Sequence, residues 1–295
     1  MIDGALLLDK PVGLSSNAAL QKAKRALGAA KAGHAGTLDP LASGLLVLLF
    51  GEATKFAGPL LDADKEYIAT LKLGERTSTG DAEGEVLERR PVRIEALERV
   101  LGGFRGEIEQ VPPMHSALKH KGTPLYRLAR RGEAVERAPR RVRIHELEPL
   151  ECVPPQLVLR VVCSKGTYVR VLAEDIGEAL GCGAHLAGLR RTGSGRFRIE
   201  NAVALEALDA SRVLPLTALL EDLPRAELDP AQERRLRQGQ ALQISGLRAG
   251  ICVAVRPDGA VIGLGDADGA GALKPLRLTQ AAEKHLKSAA QIERD

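Results

Sequence analysis

Tryptophan is absent, and aromatic residues make up only 2% of the 295 positions. The core must therefore be built from Leu, Val, Ile and Ala, which pack by volume and branching instead of ring contacts. Long apolar runs are also missing. The longest, around Leu45–Phe50, falls far short of the roughly 20 residues that cross a bilayer. Met1–Lys10 has neither the basic start nor the cleavage signal of a secreted precursor, so the chain reads as cytoplasmic, with no membrane partner. Cys152, Cys163, Cys182 and Cys252 form no C-x-x-C pair and have no His at finger-like spacing. That excludes a zinc finger and a disulfide framework, and leaves the cysteines as small buried hydrophobes.

A formal net charge of +4 does not by itself point to nucleic acid, but the distribution of charge is uneven. Lys119, Lys121, Arg127, Arg130, Arg131, Arg137, Arg140, Arg141 and Arg143 face only Glu133 and Glu136 within the same stretch. Smaller basic clusters lie at Lys22, Lys24, Arg25 and Lys31, and at Arg190, Arg191, Arg196 and Arg198. Any one of them is compatible with an ordinary solvated face. Three together favour a phosphate-rich partner.

Apolar residues at 44% suit a packed globule, and the length allows one large core plus a small appended domain. Ala5–Leu8 reads as a strand, and Ser15 or Ser16 caps a helix that Gly28 ends. Leu45–Phe50 reads as a strand buried on both faces. Helical spacing is expected over Glu52–Leu61, Ile94–Leu101 and Tyr168–Leu180, and strands over Glu66–Leu73, Val142–Leu150 and Leu157–Cys163. Without a regular βα repeat, the class is α+β. Pro215, Pro224 and Pro230 mark a boundary near residue 225. Beyond it, a short helix at Ala231–Arg237 precedes strands at Ile251–Val255, Ala260–Leu264 and Leu273–Leu278, which suits a small barrel.

Gly33–Gly44 is the most unusual segment. Two glycines allow close backbone approach, and His34, Thr37 and Asp39 cluster within six residues. Asp39-Pro40 has the form of a helix N-cap followed by a first-turn proline, and on local grounds capping is favoured over catalysis. His34 either engages nucleic acid or satisfies loop hydrogen bonds. Arg170, after the Gly166 turn, either pairs with a buried carboxylate or lies exposed at a helix start, and Tyr168 can pack beside it.

Gly33-His34-Ala35-Gly36-Thr37-Leu38-Asp39-Pro40-Leu41-Ala42-Ser43-Gly44 closely resembles the catalytic motif of the bacterial tRNA pseudouridine synthases of the TruB family, G-H-x-G-x-L-D-P-x-A-[ST]-G. Leu8-Asp9-Lys10-Pro11-Val12-Gly13 matches the family's opening motif. Gly51-Glu52-Ala53-Thr54-Lys55-Phe56, Asp64-Lys65-Glu66-Tyr67, Ser164-Lys165-Gly166-Thr167-Tyr168-Val169-Arg170 and Leu189-Arg190-Arg191 follow in order. The likeness runs from about residue 6 to 200, with no substitution where the family's chemistry is placed.

The resemblance implies the pseudouridine synthase fold over residues 1–225, a mostly antiparallel mixed sheet flanked by helices, and a PUA-like RNA-binding β-barrel over 226–295. The basic insert at about 105–145 becomes an arm that clamps RNA. Asp39 corresponds to the catalytic aspartate, Tyr67 to the tyrosine that stacks on the target base and is placed for a late proton abstraction, and Arg170 to the arginine paired with the aspartate. His34 corresponds to the histidine that engages RNA beside the flipped base, while Lys10, Lys55, Tyr168 and Leu189 fall at pocket or support positions. Neither a metal nor an organic cofactor is implied. The expected activity is isomerisation of the T-arm uridine at position 55 of tRNA by a monomer that needs no protein partner. Rival readings are a guide-RNA-dependent synthase acting on ribosomal RNA, and an RNA-binding or tRNA-folding protein with secondary catalysis. A glycosidase lacks a second carboxylate placed as its partner acid in these motifs.

Overall fold

The computed structural model describes residues 2–280 apart from residues 117, 130 and 134. Arg130 of the basic cluster and the last fifteen positions of the expected C-terminal domain lie outside the described residues. A ten-stranded mixed sheet organises the first part of the chain. Its main strands are β1 (Gly4–Lys10), β2 (Ala42–Phe50), β3 (Lys65–Leu73), β4 (Gly106–Gln110), β5 (Arg140–Val153), β6 (Gln156–Cys163) and β7 (Ala184–Ser194). Helix α1 (Ser16–Ala26) follows β1, and α2 (Val169–Ala179) precedes β7. In space the order is β1-β2-β7-β3-β6-β5-β4. Neighbours are antiparallel except β2 with β7, and β1 with the two-residue strand Val203–Ala204. The parallel β2–β7 seam lies at the middle of the sheet, and the site is built there.

β2 is the apolar run read from the sequence, and each residue from Leu45 to Phe50 is fully buried. Leu45, Val47 and Leu49 join one core cluster while Leu46, Leu48 and Phe50 join another, so both faces of the strand are covered. Alternation in β3 is explained the same way: Ala69, Leu71 and Leu73 enter the core shared with α2. Ser15 caps α1 by accepting from the Ala18 amide at 3.1 Å.

Gly44 fixes the seam. Its φ is +99°, and a Cβ there would lie 2.3 Å from the Arg191 carbonyl oxygen. Because that obstacle is backbone, it cannot swing aside. Gly44→Ala is expected to cost about 3 kcal/mol or more from overpacking and left-handed strain, measured by urea unfolding. A loss below ~1 kcal/mol would show that β2 and β7 can part freely.

The apolar spacing at Ile94–Leu101 misplaced its helix, which spans Leu97–Phe104. Ile94 packs on the same core from the turn that precedes the helix, so helical and non-helical residues together produced the apparent period. Glu52–Leu61 divides into a 3-10 segment, Gly51–Phe56, and a short α-helix, Ala57–Asp62. β4 and β5 belong to the main sheet, so the basic excursion from it spans only residues 111–139.

The second sheet has five strands in the order Arg225–Glu227, Gly250–Val255, Val261–Ala267, Ala272–Leu278, Leu242–Gln243. Helix Pro230–Arg237 packs on it behind a capping box of Asp229 and Gln232. Ala226, Leu236, Cys252 and Ile262 form its own core. Val253, Val255 and Leu264 instead join the cluster around Leu45 and Phe56 of the large sheet. Cys163, Cys182 and Cys252 are buried and Cys152 is half-buried, all as free thiols. Among the described residues no helix is long and apolar enough to cross a membrane.

Candidate active site

Asp39 caps no helix. Its carbonyl accepts from the Ala42 amide at 3.1 Å, closing a turn that runs straight into β2. Proline preorganises this turn instead of a helical first turn, so the local capping reading is corrected. Ser16, buried in the first turn of α1, clasps the preceding residue on both sides: its hydroxyl accepts from the Leu38 amide at 2.7 Å and donates to the Leu38 carbonyl at 2.8 Å. Leu38 is thereby buried and the next side chain, Asp39, is turned outward, with 49% of it exposed.

Arg170 enters from α2, two residues past the Tyr168 N-cap. Its guanidinium lies between two carboxylates, 2.9 Å from Asp39 and 3.2 Å from Asp81. It also donates to the carbonyls of Thr79 at 3.2 Å and His115 at 2.7 Å. Asp81 is buried, and its other oxygen accepts from the Thr79 hydroxyl and the Glu83 amide. Arg170 is therefore anchored inside by Asp81 and offers its outer edge to Asp39.

This pair stands between two cavities. One, of about 390 Å³, is lined by Asp39, Lys65, Tyr67, Tyr168, Leu189 and Arg191 among others. The other, of about 520 Å³, is lined by His34, Asp39, Asp81 and Arg170. Five of the expected site residues, Asp39, Tyr67, Tyr168, Arg170 and Leu189, thus converge on one cavity. Tyr67 and Leu189 arrive from facing strands, since Tyr67 pairs with Arg191 and Leu189 with Ala69. His34 lines the neighbouring cavity, and its Nδ1 is buried without a hydrogen-bond partner among the described residues.

The two lysines differ. Lys10 is fully buried beside the site and donates to the carbonyls of Pro11 and Leu14 at 2.8 and 2.7 Å. Burial lowers its pKa to about 8 even though the nearby Asp39 pulls upward. Lys55 is not brought to the cavity. Its ammonium pairs with Glu52 at 2.9 Å and donates to the Leu278 carbonyl at 3.0 Å, joining the two sheets. Its place in a motif reflects sheet docking, not pocket lining.

Burial pushes the phenols of Tyr67 and Tyr168 up, while the Arg191 guanidinium pulls Tyr67 back down. His34 is pushed down, first by burial and then by Arg191. Lys65, 7% exposed, donates to the carbonyls of Leu60, Leu61 and Ala63, and burial brings its pKa from 10.5 to about 8. The unfolded chain therefore binds more protons at this residue between pH 8 and 10.5, and the fold gains stability as pH rises through that window. The stability of the wild type relative to Lys65→Met should rise across it, read by urea unfolding at each pH. A flat difference sinks this reading.

Residues 24–169 match the TruB family pseudouridylate synthase N-terminal domain, 170–235 a tRNA pseudouridylate synthase B C-terminal domain, and 224–279 a pseudouridine synthase II TruB C-terminal domain. The tRNA pseudouridine synthase B of Burkholderia lata is 60% identical over 256 residues, 84% of this chain and 80% of its own length. The chain belongs to the TruB family. That of Thiobacillus denitrificans is 54% identical over 94% of this chain and 96% of its own. Among solved structures, a Cbf5-Nop10-Gar1 complex superposes with a TM-score of 0.71 at 27% identity, covering 94% of this chain and 83% of that one. An archaeal box H/ACA sRNP Nop10-Cbf5 complex gives 0.70 at 26%, covering 93% and 85%. These likenesses agree with the pseudouridine synthase fold and its mixed sheet.

Two residues of this TruB-family site escaped the sequence reading. Asp81 lies in the turn-rich Thr77–Gly84 stretch, where Gly80-Asp81 signals a turn and nothing signals an inward carboxylate. Arg191 was legible as one of a basic cluster and as part of the Leu189-Arg190-Arg191 motif, neither of which assigned it a place in the pocket. Arg190 points out to Asp9 at 3.0 and 2.7 Å, whereas Arg191 points in and is 1% exposed, as strand alternation requires.

Proposed function

We propose that this protein isomerises the T-arm uridine at position 55 of tRNA to pseudouridine. The observation that carries the reading is the Asp39 carboxylate held at 2.9 Å by Arg170 on the rim of a cavity that also presents Tyr67 and Leu189. The uracil has to leave the stack to be reached, and the flat face of Tyr67 against Leu189 suits a flipped base. The N1–C1′ bond breaks, the base turns while bound, and C5 joins C1′. Asp39 serves either by adding to the sugar or by removing its C2′ proton. Both roles need a carboxylate oriented at the sugar, which is what Arg170 and the turn into β2 provide.

Arg140, Arg141 and Arg143 on β5 are exposed, as are Lys121, Arg127 and Arg131 on the 111–139 excursion. Such a face suits contact with the phosphates of a folded stem-loop. Residues 1–225 act as the catalytic domain and 226–295 as a PUA-like RNA-binding module. The protein works in the cytoplasm as a monomer, without a protein partner.

The test is pseudouridine mapping by carbodiimide-based primer extension on an unmodified tRNA transcript with purified protein alone. A new stop at the T-arm uridine is expected. The structural likeness to Cbf5 complexes makes guide dependence the second reading, and transcript binding without modification would favour it.

A further inference from the structure

Among the described residues Arg191 heads the fully buried side chains by volume, yet no carboxylate there pairs with it. Its Nε donates to the Leu45 carbonyl at 2.6 Å, and its two Nη atoms to the carbonyls of Thr37 and Gly36 at 3.4 and 3.2 Å. Three carbonyl dipoles orient a guanidinium but do not cancel a full charge. Arg170, by contrast, is matched by both Asp39 and Asp81. Lys65 spends its ammonium on the chain end of helix Ala57–Asp62. Arg191 lines the same cavity as Asp39, Tyr67 and Leu189. Its field reaches Lys10, His34, Lys65 and Tyr67, each of which it biases away from the protonated state.

We propose that Arg191 is the cation that stabilises the detached uracil anion during isomerisation, an inference that rests on the function proposed above. When N1–C1′ breaks, the electron pair leaves with N1, and the base becomes a monoanion with its charge spread over N1, O2 and O4. This holds whether Asp39 takes up C1′ or removes the C2′ proton. C5 then donates an electron pair to C1′, which expels the Asp39 carboxylate in the adduct route or lets C2′ take its proton back from Asp39 in the glycal route. The C5 proton is lost to a base and N1 regains a proton, so the isomerisation balances. A buried guanidinium already in place needs no reorganisation to meet that charge. Its carbonyl partners Gly36 and Thr37 precede Asp39 by three and two residues, so the same side chain sets the distance between carboxylate and base.

The test compares single-turnover rates at which the target nucleoside is consumed in two transcripts of one tRNA, one with uridine and one with 5-fluorouridine, whose more acidic base carries negative charge more easily. Consumption is the readout because fluorine at C5 leaves no proton for the last step. Arg191→Gln should slow the uridine transcript about 10²- to 10³-fold, the range for loss of one preorganised electrostatic group. The fluorinated transcript should slow by less than a tenth of that factor, and transcript Kd should stay within about threefold. Arg191→Lys, which keeps the charge, should recover at least tenfold of the uridine rate and show the wild-type ratio between substrates. Equal slowing of both transcripts by a folded Arg191→Gln protein would reduce Arg191 to a brace for the Asp39 turn and overturn the proposal. If Arg191→Gln does not fold, a changed substrate ratio in Arg191→Lys overturns it instead. Inactive wild type on both transcripts would sink the function itself, a separate outcome.

Discussion

Asp39→Asn protein is expected to bind an unmodified tRNA transcript as tightly as wild type while forming pseudouridine roughly 10⁴-fold more slowly, the upper range for one proton-transfer or nucleophilic group. The substitution keeps the volume and the turn, because the turn is held by the Asp39 backbone carbonyl and by the Ser16 clasp on Leu38, neither of which uses the carboxylate. Half of the side chain is solvent-exposed, so losing its ion pair with Arg170 should cost no more than about 1 kcal/mol of stability. Arg170 still has Asp81. The change therefore separates chemistry from folding. Primer-extension mapping supplies the rate, filter binding the Kd and urea unfolding the stability. An Asp39→Asn protein that retains a tenth of the activity would remove Asp39 from the reaction and leave the cavity in search of another nucleophile or base.

Arg170→Met should fail on both counts. Asp81 is 95% buried by side chain, and Arg170 almost as much. Without the guanidinium, the Asp81 carboxylate keeps only the Thr79 hydroxyl and Glu83 amide as donors. An uncompensated buried charge of this kind costs about 3–5 kcal/mol. Asp39 loses its orienting partner at the same time, and misorientation alone lowers the rate by about 10²-fold. Pairing Arg170→Met with Asp81→Asn removes the stranded charge, so the double variant should be more stable than Arg170→Met alone yet remain as slow. Urea unfolding of the three proteins reads this coupling. A single variant within 1 kcal/mol of wild type would mean that Asp81 finds water or another cation, against the burial described here.

Much of the site was legible because its residues lie in short collinear motifs. Asp39, Tyr67, Tyr168, Arg170 and Leu189 were named from motif positions and meet at one cavity. Lys55 came from a motif too, yet it serves the contact between sheets, because motifs mark constrained positions without stating what constrains them. The helix expected at Ile94–Leu101 slipped because apolar spacing cannot separate a helix from the turn residues packing beside it.

The sequence by itself determined the elements whose cause is local: the apolar run that becomes β2, the Ser15 cap of α1, the hairpin of β5 and β6, and the glycines without which strands could not touch. Only the tertiary structure decided that Asp39 closes a turn into a strand instead of capping a helix, that Asp81 rather than solvent anchors Arg170, and that Arg191 turns inward with no counter-ion among the described residues. These depend on partners distant along the chain: the Ser16 clasp that turns Asp39 outward spans 22 positions and the Arg191 contact with Leu45 spans 146, while Arg170 reaches Asp81 from another element. Burial and charge pairing arise between distant segments, and neither leaves a period or a spacing along the chain.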